Sequence, residues 1–101
     1  LEAGAETEKA DWIGRIALHY AAFRDRLDCV RLLLEAGTDK NKGGTGGHTP
    51  LHHAAYFGSL DCLQLLLEAG GDKDKADNVG RTPLHQAAQG NTPDCLRLLL
   101  E

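Results

Sequence analysis

The chain has 101 residues, 42% of them hydrophobic and 26% charged, with a formal net charge of −4. That length suits one compact domain, and the composition is that of an ordinary soluble protein rather than a disordered or fibrous one. No apolar run approaches the ~20 residues that cross a bilayer, the start lacks the basic-then-apolar order of a signal peptide, and the acidic balance gives no electrostatic reason to expect nucleic acid as partner.

In chain order, the first signal is a remnant. Glu2-Ala3-Gly4 matches Glu35-Ala36-Gly37 and Glu68-Ala69-Gly70, so residues 1–8 read as the tail of a preceding unit and the chain as an excerpt of a longer array. A period of 33 residues follows, carried by His19, His52 and His85, by Cys29, Cys62 and Cys95, and by Ala-Ala pairs and Leu-Leu-Leu-Glu runs in step with them. Such self-similarity marks stacked repeats. It divides the chain into residues 9–41, 42–74 and a truncated 75–101.

Within the first unit, Ile16-Ala17 stands where later units have Thr-Pro, which removes a helix cap contributing ~0.5–2 kcal/mol. Asp25-Arg26 replaces Gly-Ser at the next turn, putting a non-glycine residue in a left-handed conformation. This unit is therefore expected to be the least stable locally. In the second unit, Thr49 caps a helix with Pro50 at its first position, where the missing N–H costs nothing. That helix runs from Pro50 to about Phe57, Gly58 breaks it, and Ser59 caps a second helix from Leu60 to about Ala69, with Gly70 as a left-handed terminator. The second helix is polar only at Asp61, Gln64 and Glu68, so most of its sides must be covered by neighbouring units. In the third unit Asn91, Thr92 and Pro93 take the breaker, cap and first-turn places.

Gly80-Arg81-Thr82-Pro83-Leu84-His85, followed by Ala87-Ala88 and Leu98-Leu99-Leu100, resembles the ankyrin repeat, and Gly47-His48-Thr49-Pro50-Leu51-His52 repeats the signature one unit earlier. The resemblance covers essentially the whole chain, and the rival 34-residue tetratricopeptide type lacks the Thr-Pro-Leu-His helix start. It implies an all-α solenoid of stacked helix-turn-helix units with hairpin-like finger loops. It also implies that the repeated His ties one unit to the next finger, and that partner proteins are held along fingers and first helices.

The residues offer little chemistry. The cysteines recur at equivalent places, so stacking spaces them by about one helix-packing distance, ~8–10 Å. That is too far for shared zinc ligation or a disulfide. They read as buried structural thiols, and their odd number points to a reducing intracellular compartment, cytoplasmic or nuclear. No Ser, Cys or carboxylate recurs beside the histidines at triad-like spacing, so no catalytic residue, metal or cofactor is expected. Of the pair His52-His53, His53 is expected to face outward. Gly43-Gly44-Thr45-Gly46-Gly47 lacks the Lys-Ser/Thr of a nucleotide loop and reads as a flexible finger.

The residues that break the period carry the functional signal. Trp12, Phe23, Tyr56 and Phe57 lie at places not shared by all units, and interfaces are enriched in aromatic residues and Arg. With Ile13, His53, Val79 and Gln89 they form the candidate binding face, while Arg15, Arg24, His48 and Arg81 give a locally basic rim suited to an acidic or carboxyl-bearing segment. The expected function is a protein-binding module without enzymatic activity. The alternatives are a spacer or engineered scaffold whose aromatic residues pack between units, or the targeting arm of an enzyme or channel. Apolar residues at the ends of the stack also suggest weak end-to-end self-association.

Overall fold

A computed structural model of the chain describes residue 13 and residues 16–101. Among the described residues it is all helical. Helix α1 covers residues 16–23, α2 Leu27–Glu35, α3 Pro50–Phe57, α4 Leu60–Glu68, α5 Pro83–Gln89 and α6 Pro93–Leu100, with a short 3-10 turn at Thr45–Gly47. Helix α3 packs on α5 in one layer, α2 on α4 and α4 on α6 in a second, and α3 against α4 and α5 against α6 join the layers.

The helix starts follow from local chemistry. The Thr49 hydroxyl accepts from the His52 amide at 3.4 Å, and His52 Nδ1 accepts from the Thr49 amide at 3.0 Å, a reciprocal cap in which His replaces the usual Glu. Because Nδ1 accepts, Nε2 carries the proton, and it donates to the Arg81 carbonyl of the next finger at 2.8 Å. One unit back, the His19 Nε2 group bonds the His48 carbonyl at 2.8 Å. His52 therefore clamps its own helix start and the following finger together.

Helix breaking also repeats. Asp25, Gly58 and Asn91 occupy equivalent places, with φ of 56°, 74° and 56°, so the left-handed turn forms with or without glycine. Asp25 gains something from standing there. Its carboxylate accepts the amide of Cys62 at 3.3 Å, the third residue of α4, and so caps a helix of the next unit. Ser59 and Thr92 hold the cap positions of α4 and α6, but neither side chain makes a capping bond. The Ser59 hydroxyl instead donates to the Phe23 carbonyl at 3.2 Å, and the Thr92 hydroxyl to the Ala55 carbonyl at 2.7 Å. These side chains link units, which corrects the capping role expected of them.

The core lies between the layers. Leu18, Val30, Leu51, Leu63 and Leu66 are fully or almost fully buried, with Ala21, Ala54 and Ala87 letting the first helices approach. The approach is closest at Gly90, where a Cβ would overlap the backbone carbonyl of Tyr56. Leu66 and Leu99 are buried as expected, whereas their equivalent Leu33 is only half-buried.

The cysteines show the same dependence on a preceding unit. Cys95 Sγ lies 4.0 Å from the Ala54 carbonyl, so the thiol is covered by α3 of the unit before it. Cys62 and Cys95 are buried, but Cys29 is exposed, which corrects the expectation of three buried thiols. Among the described residues no earlier helix covers it. Burial is the first cause that pushes the Cys95 thiol up and raises Cys62 to about 12, so neither forms thiolate at neutral pH. A thiol-reactive dye at neutral pH should label one cysteine per native chain quickly and all three after unfolding. Rapid native labelling of Cys62 or Cys95 would contradict this packing.

Candidate functional site

One side of the stack is built by the first helices and the fingers. In the second finger, the Gly44 amide donates to the His48 carbonyl at 2.9 Å, and in the third the Asp77 amide donates to the Arg81 carbonyl at 2.8 Å. Adjacent fingers are joined by the Asn78 amide, which donates to the Gly46 carbonyl at 3.0 Å. Gly47 sits at φ +77°, and a Cβ there would come 2.9 Å from the Asn78 nitrogen, so this glycine allows the fingers to stack. The glycine-rich segment is thus a hydrogen-bonded turn packed against its neighbour, in place of the flexible loop expected.

Between α1 and the second finger runs a groove of about 790 Å³, whose lining includes Ile16, His19, Tyr20, Phe23, His48 and His53. A pocket of about 190 Å³ continues it toward the third unit, bounded by His52, Tyr56, Phe57 and Gln86 together with the same His48 and His53. Those two rings form the ridge between the cavities. They belong to a run of imidazoles, with His53 at 5.1 Å from His19 and 5.6 Å from His48, and His48 at 5.6 Å from His52, centroid to centroid.

His53 is half-buried in this run, which corrects its expected outward orientation. Burial, then the neighbouring His19, His48 and His52, lower its pKa to about 4. Burial also lowers the pKa of His52, partly offset by its bond to the Arg81 carbonyl. Behind His48 stands Asp77, whose carboxylate accepts the amides of Arg81 at 2.8 Å and Val79 at 3.0 Å and lies 3.1 Å from His48 Nε2. Those backbone bonds, Arg81 first, hold its carboxyl below the usual range.

The aromatic candidates converge at the ends of the first helices. The Phe23 and Phe57 rings lie 4.2 Å apart and Tyr56 and Phe57 4.9 Å apart, with the Arg24 guanidinium 5.8 Å from the Phe23 ring centre. Although in contact, Phe23, Tyr56 and Phe57 remain 36%, 37% and 49% exposed. Ile13 and Val79 are exposed, and Arg81 reaches Gln89 at 3.4 Å in a separate polar pair of the third unit. Trp12 and Arg15 lie outside the described residues.

Of the groove lining, Ile16, His19, Tyr20 and the finger residues Gly43, Gly44, Thr45 and Gly46 were not singled out from the sequence as binding candidates. One signal was available, because Tyr20, His53 and Gln86 occupy one equivalent place, directly after the repeated His, and differ in every unit. The ring nitrogens of His19 and His52 are committed to holding fingers and helix starts. Among the described residues no three His, Cys, Asp or Glu side chains converge to hold a metal ion, and no helix is long and apolar enough to cross a membrane.

Paired helices in two layers, fingers bonded in series and cavities lined by first helices and fingers define a helical-repeat solenoid. A family model described as ankyrin repeats, in three copies, matches residues 18–101. The chain belongs to the ankyrin-repeat family, whose repeats are generally protein-interaction modules. No curated protein matches the chain.

Proposed function

We propose that this chain is a binding module that holds a segment of a partner protein along its fingers and first helices. The observation that carries this reading is the cluster of Phe23, Tyr56 and Phe57, left 36–49% exposed at the end of a groove of about 790 Å³. Contiguous exposed apolar surface rimmed by polar groups marks interaction sites, and aromatic side chains supply most of the energy at interface centres. Arg24, His48 and Arg81 form the edge, with Ile13, Val79 and Gln89 extending the face along the fingers. An intracellular setting and the repeat boundaries 9–41, 42–74 and 75–101 belong to the same reading. Leu32 and Leu100, exposed at 66% and 68% where their equivalents in the second unit are half-buried, offer a weaker route to end-to-end association.

The reading is tested by selecting a peptide from a random library on the intact chain and following backbone amides by NMR. Shifts should concentrate in residues 16–23, 43–57 and 79–89. A map centred on α2, α4 and α6 would overturn the reading. The contact between Phe23 and Phe57, which belong to successive units, favours one alternative, a spacer in which the rings serve only as packing.

A further inference from the structure

The chain carries a net charge of −4, yet among the described residues the lining of the large groove contains neither Asp nor Glu. What it presents instead is imidazole, from His19, His48 and His53. The carboxylate beside the run, Asp77, is buried beneath His48 and receives two backbone amides inside the finger. The four rings of the run are not equivalent. His19 and His52 bond finger carbonyls, and His48 faces Asp77 at 3.1 Å. Among the described residues the His53 ring nitrogens make no hydrogen bond, although the ring is half-buried and lines both cavities. Its nitrogens open to the cavities it lines, so their donor and acceptor capacity is available to a ligand.

Resting on the docking reading above, we infer that His53 receives an Asp or Glu side chain of the docked segment, and that the complex takes up a proton at this ring, so that docking strengthens as the medium acidifies. The charge pattern favours this occupant, since an acidic side chain entering the groove meets imidazoles and the nearby Arg24, with no carboxylate among the described lining residues to repel it. The groups facing His53 are His19 on α1, His48 on the second finger and His52 on its own helix. Asp77 and Lys75 of the third finger act on His52, and Gln86 of α5 is neutral.

The sign follows from linkage. In the free chain His53 stays neutral down to about pH 4, because protonation would place a cation in a partly desolvated site beside three other imidazoles. A carboxylate against the ring stabilises that cation, so the ring's pKa rises in the complex. Affinity is then flat above the raised value, climbs as pH falls through it, and levels off near the free value. A lift of about two units makes binding about fourfold tighter at about pH 5.5 than at about pH 7.5.

The test uses the intact chain and a library of random twelve-residue peptides, selected at about pH 5.5 and measured by calorimetry at about pH 5.5 and 7.5. The expected results are enrichment of Asp and Glu in peptides whose binding is lost in Phe23→Ala, tighter binding at the lower pH, and proton uptake read from buffer-dependent enthalpies. Changing the peptide's acidic residue to its amide should abolish the uptake, as should His53→Gln. NMR titration of the His53 ring proton in the wild-type complex gives an independent readout, expected above the free value of about 4. Groove-dependent peptides without acidic enrichment, or with affinity flat or falling toward low pH, overturn this inference alone. A selection yielding no peptide sensitive to Phe23→Ala overturns the docking reading and this inference with it.

Discussion

Leu66→Ala should lower the unfolding free energy by about 3–4 kcal/mol in urea melts. Leu66 is fully buried in α4, the helix that packs against α2 on one side and α6 on the other. Its removal leaves a cavity bounded by residues of more than one unit, and helices fixed in register by hydrogen bonds cannot close over it. A domain of this size has on the order of 5–15 kcal/mol to lose, so the variant should unfold at a visibly lower denaturant midpoint. In a repeat array each unit is stabilised chiefly by its neighbours, so damage to the middle one weakens both interfaces. Leu33, the equivalent residue of the first unit, is half-buried, and its alanine variant should cost clearly less. Equal losses at the two positions, or a loss below about 1 kcal/mol at Leu66, would contradict this packing.

Much of that packing was legible in the residues. Thr49-Pro50 and Gly58 bound α3 at Pro50–Phe57 as the structure has it, because a cap, a proline at the first turn and a left-handed breaker act locally. The link from His52 to the next finger was implied by the ankyrin resemblance and is present at 2.8 Å. What escaped was whatever depends on two units meeting. Ser59 has the chemistry of a cap, yet its hydroxyl finds the Phe23 carbonyl of the preceding unit, while the amide of Cys62 is taken by Asp25. Periodicity identifies equivalent residues but not how each is covered, and Cys29 is exposed where Cys62 and Cys95 are buried.

The groove was hidden by a related limit. Searching for residues off the period found Phe23, Tyr56 and Phe57, which do converge, and took in His53, but passed over Tyr20 and Gln86 at the same place, because no single residue type marks it. His53 was read as outward because adjacent helix residues point ~100° apart. That angle says nothing of His19 and His48, which arrive from another helix and from a finger to enclose the ring.

Phe57→Ala tests most directly whether this face binds or merely packs. With a groove-selected peptide, affinity should fall about 30-fold or more, equivalent to about 2 kcal/mol, as expected for an aromatic anchor at an interface centre. Because the ring is 49% exposed in the free chain, the same variant should lose little folding stability, about 1 kcal/mol or less. Calorimetric binding and urea melts on one preparation give both quantities. Unchanged affinity together with a stability loss of several kcal/mol would contradict the account, and the aromatic cluster would then be packing between units in a spacer.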